Sequence, residues 1–256
     1  MKLCCLASGS SGNCFYVENG DKAIIVDAGI SSKQIFERME IIRANPKKIQ
    51  GIFISHEHTD HTRGADVLAR TLGIPIFATK GTINNSSLCA EEGLIQTIKA
   101  SELISLAGLE IEPISKSHDA EEPVSFVIRN KKTLSILTDI GYSCKNIADA
   151  INESDFLVME SNHDIKMLEN GPYPYFLKKR ILSDKGHISN LHSAISVLEH
   201  SRTHLKGISL AHLSRTNNTS KLAHSTFKTL LKERKDLSPQ ITVSTQDSPT
   251  EFFKIT

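Results

Sequence analysis

Five short apolar runs in this chain each end in a residue able to bind a metal or move a proton, and no other feature constrains the fold as strongly. Ala23-Ile24-Ile25-Val26 ends at Asp27, Gly51-Ile52-Phe53-Ile54-Ser55 at His56, and Thr133-Leu134-Ser135-Ile136-Leu137-Thr138 at Asp139. Phe156-Leu157-Val158-Met159 ends at Glu160 and Gly207-Ile208-Ser209-Leu210-Ala211 at His212. Such runs read as buried strands that deliver their last side chain to a site. Further strands are expected at residues 74–78, 109–114, 124–128 and 241–244. Helical spacing lies between them. Ser31-Ser32 can cap a helix through about Ile42 with Ile35, Phe36 and Met39 on one face. Others are expected near residues 64–72, 145–152, 175–182, 190–200 and 222–235. Asn130-Lys131-Lys132 separates two strand runs in the manner of a hairpin. The alternation predicts an α/β protein of sheets between helix layers. With no linker, low-complexity tract or repeat, residues 1–256 are read as a single domain.

Composition narrows the partners. A formal charge of +1 over 256 residues gives no bulk attraction to nucleic acid or membrane, so polyanion binding needs a local patch or metal ions. The five cysteines (Cys4, Cys5, Cys14, Cys89, Cys144) form no C-x-x-C pair, which argues against a disulfide framework and for a reducing cytoplasmic location. The apolar run at the start is shorter than a secretory core, and no stretch approaches the roughly 18 apolar residues of a membrane span. The start is read as a first strand.

The run His56-Glu57-His58-Thr59-Asp60-His61 carries the chemistry. In an extended segment residues two apart point the same way, so His56 and His58 can share one ion. Asp60 and His61, at the turn into a helix, can face a second. With 11 His among 256 residues, chance produces this H-x-H-x-D-H pattern in roughly one such chain in a thousand. His118, Asp139 and His212 supply further ligands at strand ends. The expected set is His56, His58 and His118 on one ion, and Asp60, His61 and His212 on the other. Asp139 bridges them, because a carboxylate can give one oxygen to each. Asp27 is read either as a strand-to-turn residue or as the acceptor of a ligand imidazole N–H.

These pieces resemble the metallo-β-lactamase superfamily: Asp27 in Val26-Asp27-Ala28-Gly29, the H-x-H-x-D-H run, His118, Asp139 and His212, in that superfamily's order. The resemblance implies a four-layer αβ/βα sandwich, two mixed sheets flanked by helices, with a dinuclear site along one sheet edge. Further stretches are similar to the YycJ/WalJ family of bacterial exonuclease-like proteins. They are Leu6-Ala7-Ser8-Gly9-Ser10-Ser11-Gly12-Asn13-Cys14, Glu160-Ser161-Asn162-His163-Asp164 with Gly171-Pro172-Tyr173-Pro174, Gly186-His187-Ile188-Ser189-Asn190, and Ala211-His212-Leu213-Ser214-Arg215-Thr216-Asn217-Asn218. That likeness implies metal-dependent cleavage of DNA, 5′-to-3′ and exonucleolytic, in mismatch repair. The bridging Asp139 points to a phosphodiesterase- or thioesterase-like site rather than a lactamase-like one. His58, in place of a Glu, argues against a flavodiiron-like redox centre.

The expected chemistry is in-line attack on phosphorus by a metal-bridging hydroxide, which two cations about 3.5–4 Å apart generate near neutral pH. Asp60 both ligates and orients it. His187 is the candidate for phosphate contact or general acid. Ser189 and Asn190 either bind phosphate at the start of the following helix or cap that helix. His163 is structural, hydrogen-bonds to a metal ligand, or faces the substrate. Ser8 to Asn13 reads as a glycine-rich hairpin turn. Lys178-Lys179-Arg180 with Lys185, and Arg215 with Lys221, line a DNA groove or are solvated helix faces. His192, His200, His204 and His224 are read as surface helix residues. Imidazoles with carboxylates suit Zn²⁺, Mn²⁺ or Fe²⁺. Two other functions fit the same residues: a thioester or lactone hydrolase, and a non-catalytic metal-stabilised DNA-repair scaffold.

Overall fold

The apolar start of the chain is a strand, β1 (Lys2–Ala7), which turns back into β2 (Cys14–Asn19) and then β3 (Lys22–Val26) as an antiparallel meander. The turn at Ser8–Asn13 is closed by the Gly12 N–H on the Gly9 carbonyl at 3.0 Å and by the Gly9 N–H on Asn13 Oδ1 at 3.1 Å. The structure, a computed structural model, describes residues 1–88 and 93–256, so Cys89 lies outside the described residues. The chain packs as two compact units. The first comprises Met1–Ser115, Ala120–Lys132 and Thr245–Thr256, and the second Lys116–Asp119 and Thr133–Ser244.

In the first unit the connections after β3 become crossovers. Helix α1 (Ser32–Ile41) leads to β4 (Ile49–Phe53), parallel to β3. A short α2 (Thr59–Thr62) and α3 (Ala65–Leu72) lead to β5 (Ile76–Thr79), and α4 (Lys80–Asn85) precedes β6 (Ile95–Ile98), each strand parallel to the last. Strands β7 (Ile104–Leu106), β8 (Leu109–Ser115) and β9 (Val124–Arg129) run antiparallel. Helix α1 begins at a capping box in which Ser31 Oγ accepts the Gln34 N–H and Gln34 accepts the Ser31 N–H. Its buried Ile35 and Met39 join Leu68 and Ala69 of α3 over Ile25, Ile52 and Ile76. The other face of β4 is equally buried: Phe53 stacks on Phe77 at 4.6 Å and meets Phe126 edge-on at 5.7 Å. Burial on both faces is why β4 reads as a continuous apolar run, each large side chain contributing about 1.5–3 kcal/mol.

The second unit is built on four parallel strands: β10 (Thr133–Leu137), β11 (Phe156–Glu160), β12 (Gly207–Ala211) and β13 (Gln240–Val243). Helices α5 (Lys145–Glu153), α8 (Asn190–His200) and α9 (Ser220–Leu231) lie in the connections, with α6 (Ile165–Asn170) and α7 (Tyr175–Ile181) between β11 and α8. A last short strand, β14 (Phe253–Lys254), returns to pair antiparallel with β1 in the first unit.

The mixed sheets and helices are those of the expected αβ/βα class. Helix α9 starts two residues before the expected 222 and ends four before 235, because Thr219 Oγ1 accepts the Leu222 N–H and sets the first turn. His204 sits in a turn rather than on a helix. The helices that periodicity does not foresee, α2, α4 and α6, are four to six residues long, too short to display a 3.6-residue repeat. No helix among the described residues is long and apolar enough to cross a membrane.

Glu18 on β2 clamps the first strands together. It accepts hydrogen bonds from Lys2 Nζ (3.2 Å) and Tyr16 OH (3.0 Å) and pairs with Lys48 Nζ (3.1 Å). Burial pushes its carboxyl up, but Lys48, Lys2 and Tyr16 outweigh this and hold it below the ordinary carboxylate range. Its stabilising contribution is therefore complete at neutral pH and is lost as pH falls through the lowered pKa. Glu18→Gln is expected to cost about 1 kcal/mol at pH 7, with the gap to wild type closing in acid; chemical denaturation at several pH values reads it.

Candidate metal centre

In the first unit β4 runs out at Phe53, and the chain passes Ser55 and His56 before His58 opens α2, whose first turn holds Asp60 and His61. His56 and His61 are fully buried. His56 Nε2 stands 3.0 Å from His58 Nδ1, and the His56 and His61 rings lie 4.1 Å apart between centroids. Two nitrogens of one tetrahedral ion, each about 2.0–2.1 Å from it, lie only slightly farther apart than this. The donor set fits a divalent ion.

Backbone hydrogen bonds hold the cluster to the end of β3. Asn13 N–H donates to the Asp60 carbonyl, Ala28 N–H to that of His61 and Gly29 N–H to that of Asn13, each at 2.8 Å. A Cβ on Gly29 would lie 1.6 Å from the Asp60 carbonyl oxygen, so only glycine permits this approach. Asp27, at the end of β3, has a left-handed φ of +57°. Its Oδ1 accepts the Ser55 N–H at 2.8 Å, and its Oδ2 lies 2.8 Å from His61 Nδ1 and 3.0 Å from Ser55 Oγ. A carboxylate only accepts, so the proton of His61 sits on Nδ1 and Nε2 keeps its lone pair. Asn13 Nδ2 lies 3.2 Å from that Nε2.

The second unit carries its own set. Register places Leu137 beside Met159 and Glu160 beside Ala211, so Asp139, Glu160 and His212 gather at the ends of three adjacent parallel strands. Asp139 (φ +54°) and His212 (φ +55°) repeat the left-handed turn of Asp27. Outside glycine this conformation is uncommon and clusters at functional sites. Glu160, fully buried, accepts from His187 Nδ1 at 2.8 Å and His212 Nδ1 at 2.9 Å with one oxygen, and from the Ile140 N–H at 2.6 Å with the other. Burial raises its carboxyl, but His187 and His212 reverse the effect and hold it below the ordinary range. His212 Nδ1 is 3.4 Å and His187 Nδ1 3.7 Å from Asp139 Oδ1. Asp139, Glu160, His187 and His212 bring one ligand atom each within 4.8 Å of one another. His118 donates through Nδ1 to the Gly186 carbonyl at 3.2 Å and turns Nε2 toward Asp139 at 3.9 Å. Burial pushes its pKa down to about 4, leaving the neutral imidazole that metals bind.

The remaining candidates are more deeply committed to the protein. Ser189 caps α8, its Oγ accepting the His192 N–H at 3.2 Å. The Asn190 side chain is buried, with Oδ1 taking bonds from Ser161 Oγ and from Asn218 Nδ2. His163 is 1% exposed and bridges to Ser189, and burial pushes its pKa down to about 4. His187 is partly exposed and faces Glu160. Two residues to which the sequence reading gives no role in the site help to hold it: Glu160 and Asn13. Glu160 ends an apolar run just as Asp27 and Asp139 do, a signal that was present. Asn13 lay inside a turn motif whose partner, His61, is 48 positions away.

Replacing Gly29 by Ala is expected to displace the Asp60–His61 turn and lower bound metal severalfold while far-UV dichroism stays native. Glu160→Gln removes the charge and one of the two acceptor oxygens that together hold His187, His212 and the Ile140 N–H, and a chelator-competition titration should show metal affinity about 10–100-fold weaker. An unchanged affinity would deny Glu160 that positioning role.

Residues 7–141 match the family model of the metallo-beta-lactamase superfamily. The exodeoxyribonuclease YycJ of Bacillus anthracis is 37% identical over 238 residues, covering 90% of this chain and 88% of the relative. The exodeoxyribonuclease WalJ of Streptococcus pneumoniae is 37% identical over 232 residues, 88% of this chain and 86% of the relative. Among solved structures, the metallo-beta-lactamase fold protein YhfI of Bacillus subtilis superposes with a TM-score of 0.73 over 97% of this chain and 98% of its own, at 14% identity. Zn²⁺-bound PqqB of Methylobacterium extorquens does so at 0.69 over 98% and 100%, also at 14% identity. The fold, the family model and the 37% identity agree: the chain belongs to the metallo-β-lactamase superfamily and, within it, to the YycJ/WalJ family.

Proposed function

We propose that this chain is a dinuclear metal-dependent phosphodiesterase that degrades DNA exonucleolytically from the 5′ end. The observation that carries the reading is a full donor set: His56, His58, Asp60 and His61 in the first unit, and His118, Asp139 and His212 in the second. The name exodeoxyribonuclease, borne by relatives across about nine-tenths of the chain, selects phosphodiester substrates. In this reading residues 1–256 act as one catalytic domain. His56, His58 and His118 would hold one ion and Asp60, His61 and His212 the other, with Asp139 a ligand shared between them. Zn²⁺ and Mn²⁺ suit these donors, and Fe²⁺ is compatible. Bound there, two divalent ions supply Lewis acidity that acidifies water and offsets phosphate charge.

The protein's own groups do the rest. Asp60 orients the attacking water. His187, its Nδ1 held by Glu160 at 2.8 Å, presents its other nitrogen to the phosphate or gives a proton to the leaving oxygen. Glu160 offsets the charge His187 gains when protonated. Asp27 keeps His61 in place through Nδ1, and the Asn13 N–H holds the Asp60 carbonyl beside it. The buried thiols of Cys4, Cys5 and Cys14, none of them in a disulfide, fit a cytoplasmic setting.

The test is degradation of duplex DNA labelled at either end, with Mn²⁺, Zn²⁺ or chelator. Stepwise metal-dependent loss from the 5′ end is expected, slowed at least roughly a hundredfold in His58→Ala and Asp139→Ala. Hydrolysis of a thioester or lactone with no cleavage of DNA would replace the phosphodiesterase with a carbonyl hydrolase. Metal binding with no hydrolysis of either class would favour the repair scaffold.

A further inference from the structure

We propose that helix α7 and its flanks form a stacking platform for single-stranded nucleic acid, leading a strand toward His187. The inference takes its ligand class from the nuclease reading; the platform itself rests on four observations within the second unit.

First, α7 buries none of its side chains. Tyr175 and Phe176, at its start, are 80% and 73% exposed, and Leu182 just beyond its end is 49% exposed. A seven-residue helix in which only Leu177, Lys178 and Ile181 are half-buried gains little from packing, and adjacent bare aromatic rings leave large apolar surfaces in water. Second, the segment is strongly cationic in a chain of net charge +1. Lys166, Lys178, Lys179, Arg180 and Lys185 stand against Glu169 and Asp184. Arg180 is engaged by Asp119, and Lys178 Nζ donates to the Glu169 carbonyl at 2.8 Å. Lys179 and Lys185 are exposed.

Third, helical spacing sets Tyr175 beside Lys178 and Lys179, three and four residues on. These residues, with Glu169, Leu182 and Ser183, line a groove of about 550 Å³. An aromatic face one turn from two ammonium groups complements a nucleotide, with the base on the ring and the phosphate on the lysines. A duplex offers no free base faces, so the ligand is a single strand or a frayed end. Fourth, the platform is stiff and aimed. Pro172 and Pro174 restrict the backbone before the helix. After it, the His187 N–H donates to the Ile181 carbonyl at 3.0 Å and the Gly186 N–H to that of Ser183 at 2.8 Å. The helix end is thus bonded directly to the His187 backbone.

The chain has no tryptophan, so Tyr175→Trp installs a lone fluorescent reporter. Titrated with a short single-stranded oligonucleotide in the presence of chelator, the emission of this indole should be quenched, with affinity kept. The Tyr175→Ala/Phe176→Ala variant, checked for folding by circular dichroism, should raise the single-strand Kd roughly 5- to 100-fold by fluorescence anisotropy. Lys179→Ala should flatten the slope of log K against log salt by about 0.7. If wild type degrades DNA while the Tyr175→Trp reporter stays unquenched and the double variant binds as wild type, the platform is wrong and the nuclease stands. If single strands bind and quench the reporter but no metal supports DNA cleavage, the platform stands and the nuclease reading fails. A double variant that alters self-association in sedimentation without changing DNA affinity would make this face a protein interface and overturn the proposal.

Discussion

A carboxylate stripped of water is tolerable only where donors surround it, and each unit of this protein is organised around one. Asp27 accepts the Ser55 N–H and faces His61 Nδ1 and Ser55 Oγ. Glu160 faces two imidazoles and accepts the Ile140 N–H. Leaving such a group unpaired would cost several kcal/mol, so the histidines beside it are not free to turn. The same bonds place an imidazole proton on Nδ1, which leaves the Nε2 lone pair for a metal.

Backbone geometry makes these pairings possible. Asp27, Asp139 and His212 all leave their strands through a left-handed turn. An L-residue with a side chain enters that region at a cost of order 1–3 kcal/mol, which the surrounding bonds must offset. The turn ends the strand abruptly and points the side chain off the sheet end rather than onto a sheet face. Gly29 adds a closer constraint, since the Asp60 carbonyl occupies the space a Cβ would need. Turn, close approach and buried carboxylate thus form one device, repeated with different residues in the two units.

Much of this was legible beforehand. The buried strands announced themselves because burial on both faces removes polar residues from the run, and the end of the run marks where the sheet stops. Helix α8 (Asn190–His200) emerged with the expected bounds because Ser189 signals its start. Helices α2, α4 and α6 were not visible, since one turn carries no periodicity. The H-x-H-x-D-H run stood out because its improbable spacing is local. Ser189 and Asn190 illustrate the opposite: a phosphate contact and a helix cap require the same residue types, and only the bonds to the His192 N–H and to Ser161 and Asn218 distinguish them.

By itself the sequence determined the class of fold and the strand ends and singled out the candidate metal ligands, because these are written in local apolar patterning and short-range spacing. The tertiary structure alone decided which carboxylate orients which imidazole, that Asn13 reaches His61 and that Glu160 joins His187 to His212. It also decided that α7 would carry its aromatic residues bare. Each of these depends on segments tens of residues apart being brought within hydrogen-bonding reach, about 3 Å, or on which side of a helix the rest of the unit covers. Such outcomes are set by how strands register and loops close, and no local pattern records them.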